Sequence, residues 1–393
     1  MRTGRQKSAQ RINSDKPLSQ AGFVLPKRSN LSEYSNLSES SNLSEKYERL
    51  GRLREPISRV FPDQVCLDFT VAIATYNGAK RLPDVLERLH WQIGAENLAW
   101  EIIVVDNNST DDTAKVVAAF QQKWNRPGFL RYAVETRQGA GYARHQAARI
   151  ARSELIGFLD DDNLPSMLWV QAAHRFGLSH PKAGVYGSRI KGAFEAEPPP
   201  GFKRISAFLA LTERGDAPRI YDPEKKVLPP SAGLVVRRKA WLDHVPEEQV
   251  LIGRAGKSML GGEDLEAVLH IQGAGWEVWY NSAMRVYHKI PARRLERPYL
   301  ISLFRGAGLS RYHTRMLSVA AWQRPFMTPV YMANDLRKII RHLIRYRQHS
   351  FSDVVAACEL TLYTYSLVSP FFLGQRELKK NLQRLLGIGE SHQ

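Results

Sequence analysis

Glu154-Leu155-Ile156-Gly157-Phe158-Leu159 runs straight into Asp160-Asp161-Asp162, so an apolar stretch of strand length ends on three consecutive carboxylates. A short apolar run without polar alternation reads as a strand covered on both faces. The same texture recurs upstream. Val71-Ala72-Ile73-Ala74-Thr75 ends at Tyr76-Asn77-Gly78, Glu101 to Val105 stops at Asp106-Asn107-Asn108-Ser109, and Phe129 to Val134 reads as a further strand. Between these runs, Leu82, Val85, Leu86 and Leu89 recur at helical spacing. A helix starting near Asp111 carries Ala114, Val117, Ala118 and Phe120 on its inner side, and Ala140 to Ala151 forms another. Strands alternating with helices of ten or more residues imply β-α-β crossovers, hence an α/β fold with a mostly parallel central sheet flanked by helices. Ligands of such sheets bind beyond the carboxyl ends of the strands. Tyr76-Asn77, Asp106-Asn107 and Asp160 to Asp162 are therefore expected to face one crevice.

Downstream the pattern is less regular. Leu234-Val235-Val236 and Trp276 to Tyr280 read as strands, Asp264 to Gln272 as a helix, and Pro198-Pro199-Pro200 and Pro229-Pro230 as loops. From Thr328 the composition turns helical and basic, with Arg337, Lys338, Arg341, Arg345 and Arg347 interleaved among Leu336, Ile339, Ile340, Leu343 and Ile344. Val354 to Leu373 is the longest apolar candidate, but Glu359 and Pro370 interrupt it, and it reads as a buried or interfacial helix. At the other end, Ser-Asn-Leu-Ser-Glu begins at Ser29, Ser35 and Ser41. One leucine per six residues buries too little surface to offset chain entropy, so residues 1–64 are expected to be a disordered tail. The expected organisation is completed by an α/β domain over 65–313 and a basic helical extension over 314–393.

The chain has 393 residues and a formal net charge of +17, which favours anionic partners such as phosphorylated substrates or an acidic lipid surface. Two cysteines, Cys66 and Cys358, imply no disulfide framework, and Arg2, Arg5, Lys7 and Arg11 precede no apolar stretch of the signal-peptide kind. A cytoplasmic setting is expected, at the inner face of the membrane if the basic helix attaches there. No zinc, helix-turn-helix or RNA-sheet signature accompanies the charge, so nucleic acid is not the expected partner.

Three clusters carry chemistry. Adjacent carboxylates at a strand end repel one another, and a hard cation such as Mg²⁺ or Mn²⁺ relieves that repulsion while bridging a diphosphate. An isolated Asp-Asp-Asp is as readily an acidic turn capping a helix that opens at Pro165. Asp106 at its strand end suits charge-assisted recognition of a base or ribose, or else forms a turn with its Asn and Ser neighbours. In Gly261-Gly262-Glu263-Asp264-Leu265-Glu266 a carboxylate opens a helix on flexible backbone, either as a general base or as a cap.

The ordered set Val71 to Asn77, Val104 to Asp111, Phe158 to Asn163 and Gly261 to Glu266 resembles the family-2 glycosyltransferases of the GT-A fold, across roughly Leu67 to Tyr312. Within that family the chain is most similar to the glycosyltransferases of cyanobacterial hormogonium polysaccharide biosynthesis, as in Val227-Leu228-Pro229-Pro230 before Ala232-Gly233-Leu234-Val235-Val236. The resemblance implies inverting transfer from a nucleotide-diphosphate sugar, with a divalent metal, to a glycan or lipid-linked glycan. It implies that Thr75 and Asn77 line the nucleotide pocket, Asp106 binds base or ribose, and Arg144 and Asp161 lie by the donor. Asp160 and Asp162 bracket the metal motif, Asp264 is the catalytic base, and Glu263 is its neighbour in the acceptor site. His288 stands where relatives place a histidine near the diphosphate, although a lone histidine at a strand end is often structural. Arg305 is a further candidate for the diphosphate. The asparagine that usually follows the arginine at Arg144 is His145 here. The absence of a Gln-x-x-Arg-Trp motif speaks against a processive polymer synthase.

Two other classes fit an acidic α/β crevice. A sugar-1-phosphate nucleotidyltransferase would carry a glycine-rich basic loop after its first strand, where this chain has Ala74-Thr75-Tyr76-Asn77. A non-catalytic nucleotide- or glycan-binding module would bind without releasing nucleoside diphosphate.

Overall fold

The computed structural model describes residues 66–385, apart from 126–127, 226, 252 and 254–259. The disorder expected of residues 1–64 lies outside them. The four apolar runs form the expected strands β1 (Phe69–Thr75), β2 (Trp100–Asp106), β3 (Phe129–Val134) and β4 (Leu155–Asp160). They alternate with α1 (Leu82–His90), α2 (Thr113–Lys123) and α3 (Ala140–Ile150). All four strands pair in parallel in the order β3-β2-β1-β4. Both faces of these strands are covered, which explains why the runs lack polar alternation. Phe69, Val71 and Ile73 enter a core with Leu82, Leu86 and Trp169, whereas Ala72 enters the opposite core with Ala147 and Trp241. Gly157 admits Trp169 onto the sheet, since a Cβ there would lie 2.5 Å from the indole.

Beyond Asp160 the structure departs from the sequence pattern. No helix opens at Pro165. Asn163–Pro165 is the short strand β5, and α4 (Trp169–Ser179) begins later. The reason is a long-range pairing, because β5 runs antiparallel to β9 (Glu277–Ile290), a strand far longer than Trp276 to Tyr280 suggested. Strands β6 (Ala183–Phe194), β7 (Arg219–Ile220) and β8 (Leu234–Arg237) complete nine strands among the described residues. β8 lies antiparallel between β4 and β6, while β6 and β9 run parallel to each other. Six strands therefore share one direction and β5, β7 and β8 oppose it, giving a mostly parallel mixed sheet. Helices α5 (Arg238–His244) and α6 (Glu263–Gly273) cover the second face.

The C-terminal helices are α7 (Arg297–Leu317), α8 (Arg324–Tyr346) and α9 (Val354–Leu385). Leu300, Leu303 and Phe304 of α7 pack with Val355, Cys358 and Leu362 of α9 and with Ile290 of β9. The seam expected between 313 and 314 falls inside α7, whose buried positions continue from Leu309 to Met316. By length and composition Val354–Arg376 is apolar enough to cross a membrane, with 39% of its apolar window buried inside the fold.

Candidate active site

Strand register gathers the first site residues. Thr75 pairs with Asp106 across β1 and β2, and Ala74 pairs with Asp160 across β1 and β4, so three neighbouring strands end at one level. Adjacent parallel strands lie about 4.8 Å apart, which brings their terminal side chains within reach of one small ligand. Asn77 and Asn108 adopt left-handed backbone just beyond, at φ 48° and 65°, a conformation asparagine tolerates better than most residues. Asn77 Oδ1 accepts from the Thr110 N–H at 2.8 Å, and its own N–H donates to Ser109 Oγ at 2.8 Å. Asp106 is buried, accepting from the Ser109 N–H at 2.8 Å and from the Tyr132 hydroxyl at 2.6 Å. Buried Asn107 donates to the carbonyls of Glu135 and Arg137 and accepts from the Gly139 N–H, fixing the loop that leads into α3. The nucleotide-pocket candidates thus form one hydrogen-bonded rim.

The three consecutive carboxylates diverge, and each meets its own arginine. Asp160 accepts from Arg144 at 3.0 Å. Asp161, expected beside the donor, has both oxygens engaged by Arg81 at 2.8 Å each, with the Thr75 hydroxyl at 2.6 Å. Burial pushes the Asp161 pKa up, and the pull of Arg81 does not offset it. Asp162 lies 2.9 Å from Arg294 and 3.5 Å from His288 Nε2, and its other oxygen accepts from Asn163. Burial acts to raise the Asp162 pKa, yet His288, Arg294 and Arg81 hold the carboxyl well below the ordinary range. The mutual repulsion that seemed to require a cation is relieved in this fold by guanidinium groups from three separate elements.

Strand pairing brings His288 to this point. Asn163 on β5 is opposite His288 on β9, and the Lys289 N–H donates to the Asp162 carbonyl at 2.9 Å. His288 Nδ1 stands 2.8 Å from the Leu209 carbonyl. With Nδ1 on that carbonyl, the ring presents Nε2 toward Asp162 and Arg294. One carboxylate and one imidazole fit an Mn²⁺ or Mg²⁺ ion whose remaining positions go to phosphate and water. Among the described residues no group of three or more His, Cys, Asp or Glu side chains converges on such a position. Asp160, expected to be a metal ligand, accepts from Arg144.

Arg144 joins the two halves of the cleft. Its Nη2 donates to Asp160 and to Ser231 Oγ, both at 3.0 Å, and its Nη1 donates to Glu263 at 3.1 Å. Burial would lower its pKa, but Asp160, Glu263 and Asp264 together raise it, so the buried group stays charged. Gly262, at φ 113°, turns the chain into α6 and sets Glu263 and Asp264 in its first turn. The Glu263 pKa is raised by burial and by Asp264 against the pull of Arg144. Asp264 accepts the main-chain N–H groups of Ser231 at 3.0 Å and Leu265 at 2.8 Å, and it is only half-buried. Of the two acids, Glu263 is clamped and Asp264 keeps an accessible carboxylate at the positive end of a helix.

Arg305 lies over the Tyr365 ring at 5.2 Å, between α7 and α9. His145 is buried, and burial lowers its pKa. Sequence reasoning passed over Arg81, Arg294, Tyr132 and Ser231. Three adjacent carboxylates call for three counter-charges, and that count pointed to chain arginines as much as to a metal.

Residues 70–234 match the family described as Glycosyl transferase family 2. The succinoglycan biosynthesis protein ExoU of Rhizobium meliloti is 38% identical over 85 residues, covering 22% of this chain and 24% of that protein. The poly(ribitol-phosphate) beta-N-acetylglucosaminyltransferase TarS of Staphylococcus aureus is 32% identical over 99 residues, covering 25% of this chain and 16% of that one. This chain therefore spans a quarter or less of either relative's length. Among solved structures, the mannosyltransferase PcManGT from Pyrobaculum calidifontis, in complex with GDP-Man and Mn²⁺, is 18% identical with a TM-score of 0.48, over 82% of this chain and 93% of that one. Thr75, Asp106, Arg144, Asp160 to Asp162 and Ser231 lie within the family match, whereas Glu263, Asp264 and His288 lie beyond it.

Proposed function

We propose that this chain, whose residues 70–234 are a family-2 glycosyltransferase domain, transfers a sugar with inversion from a nucleoside-diphosphate donor to a hydroxyl of a glycan or lipid-linked glycan. The observation that carries this reading is the Arg144 bridge, which ties the strand-end acids to the acids opening α6. Asp264 takes the acceptor proton as the hydroxyl oxygen attacks the anomeric carbon. The bond from that carbon to the phosphate oxygen breaks in the same step, and the nucleoside diphosphate leaves from the opposite face. Asn77, Asp106 and Tyr132 hold the nucleoside, and Arg294 lies ready for the negative charge growing on the diphosphate. A divalent cation bound by Asp162 and His288 would supply Lewis-acid stabilisation to that leaving group.

The setting we propose is exopolysaccharide assembly at the cytoplasmic side of a membrane, by an enzyme of the hormogonium polysaccharide type. Its support is the ordered motif set and the relatives' polymer chemistry.

Asp264→Asn tests the base assignment. With a panel of nucleotide sugars and Mn²⁺, the variant should bind UDP or GDP as the wild type does and lose transfer by roughly 10²- to 10⁴-fold. Undiminished release of nucleoside diphosphate in the presence of acceptor would reject it.

A further inference from the structure

Helix α8 is amphipathic in the reverse sense to a helix of a water-soluble core. Its buried residues are polar, namely Asp335 and His342. Asp335 pairs with Arg315 of α7 at 2.8 Å and accepts from Ser366 of α9 at 2.7 Å, while His342 Nδ1 lies 3.7 Å from Glu359 of α9. Most of its large apolar residues are exposed, with Met327, Met332 and Ile339 half-buried. Trp322, in the turn just before α8, is 72% exposed, Phe326 70% and Ile344 70%, with Val330, Leu336 and Ile340 exposed between them. Phe326, Val330, Leu336, Ile340 and Ile344 follow one another at steps of four or six residues, which keeps these five side chains within a stripe of roughly 120° on the helix, and Trp322 precedes it. A surface helix ordinarily turns such a stripe inward, and a contiguous exposed apolar patch marks a contact surface.

Charge selects the occupant. Arg337, Arg341 and Arg345 are exposed along one border of the stripe, on a chain of net charge +17. An antiparallel pairing of this face with the same face of a second copy would set the two arginine rows side by side, and the like net charge of two such chains opposes association in either orientation. An anionic bilayer satisfies both features, burying the apolar stripe at the headgroup boundary while the arginines meet lipid phosphates. Trp322 and Phe326 supply the aromatic end that favours this boundary.

We propose that the outward face of α8, from Trp322 to Ile344, seats the protein on an anionic membrane surface without spanning it. The inference stands on residues outside the cleft and holds whether or not the transfer reaction does. For the reaction proposed above, it would bring the cleft to the leaflet in which lipid-linked acceptors reside.

The test uses the full chain and vesicles of phosphatidylglycerol with phosphatidylcholine, set against vesicles of phosphatidylcholine alone. The wild type should co-float with the anionic vesicles, less so at high salt, and only weakly with the neutral ones. The triple variant Phe326→Ser, Ile340→Ser, Ile344→Ser should lose roughly tenfold or more of that partitioning, since binding scales with the apolar area inserted. Its thermal midpoint should be unchanged, because these side chains are exposed. Arg337→Gln, Arg341→Gln, Arg345→Gln should erase the preference for anionic over neutral vesicles. Equal partitioning of wild type and both variants would overturn the proposal. So would a wild type that binds no vesicles, whether it sediments as a monomer or as a dimer that the serine variant dissociates.

Discussion

Arg144 Nη1 stands 3.1 Å from Glu263 Oε1, joining α3 to the first turn of α6 across 119 positions of sequence. The same guanidinium holds Asp160 and Ser231, and the Ser231 N–H holds Asp264. Arg144→Met would leave Asp160 and Glu263 without their counter-charge in a largely buried setting. Breaking a buried pair from one side costs about 3–5 kcal/mol. Urea denaturation should show a loss of that order, with Arg144→Lys recovering part of it. A variant as stable as the wild type would mean that the bridge is not formed in solution.

That bridge was legible in the sequence only at its ends. Strands β1 to β4 were readable because both of their faces are buried, so each stands out as an apolar run between polar loops. β9 hides because its burial alternates and Asn281, Ser282, Arg285, His288 and Lys289 interrupt its apolar residues. The carboxylates Asp160 to Asp162 were visible because clustered acids are unusual at the end of a buried strand, and Glu263 and Asp264 because they follow two glycines at a helix start. Their arginine partners were not. Arg81 and Arg294 look like any surface cation until the loop after β1 and the turn after β9 bring them to acids 80 or more positions away in sequence. Pro165 misled for the same reason, since the partner that makes Asn163–Pro165 a strand lies on β9.

Gly78 is a tight point of the loop after β1. A Cβ there would lie 2.0 Å from Thr75 Oγ1 and 2.7 Å from Asp161 Oδ2, inside the hydrogen bond that joins β1 to the acidic motif. Gly78→Ala should lower stability by about 1–3 kcal/mol, as overpacking does, and weaken binding of UDP or GDP by titration calorimetry. Unchanged stability and affinity would show that this loop yields freely.

Tyr132 donates its hydroxyl to buried Asp106, and the acceptor is a carboxylate. Tyr132→Phe leaves that oxygen short of a partner, which costs about 1–3 kcal/mol for a buried group. The expected readouts are a lower urea midpoint and weaker nucleotide binding, because Asp106 loses its orientation. Equal values for both proteins would detach Tyr132 from the pocket.

Asp160 and Asp162 should separate when Mn²⁺ is the probe. Asp162 shares its environment with His288 Nε2, whereas Asp160 faces Arg144. Manganese should tighten UDP or GDP binding to the wild type. Asp162→Asn should abolish that gain and His288→Ala should reduce it by roughly tenfold or more, while Asp160→Asn should keep most of it. An Asp160→Asn protein that loses the manganese effect as fully as Asp162→Asn would return Asp160 to the metal.

Asp335 gives the helical extension its own acid sensitivity. Burial pushes its pKa up, but hydrogen bonds from Arg315 and Ser366 and the charges of Arg315 and Arg311 outweigh burial and hold it below the ordinary value. Lys338 belongs to the same cluster, its own pKa lowered by burial and by Arg311. A carboxyl whose pKa is lower in the folded protein binds protons less readily there than in the unfolded chain. Its ionised form therefore contributes stability above the unfolded value of about 3.9, and the contribution is lost as the pH falls through the lower folded value. Asp335→Asn cannot ionise, so it should be less stable than the wild type near neutrality, and the gap should shrink below about pH 4. Urea denaturation of both proteins from about pH 6 down to pH 3 would measure that gap. A difference that stays constant across the range would place the ion pair with Arg315 outside the forces that hold α7, α8 and α9 together.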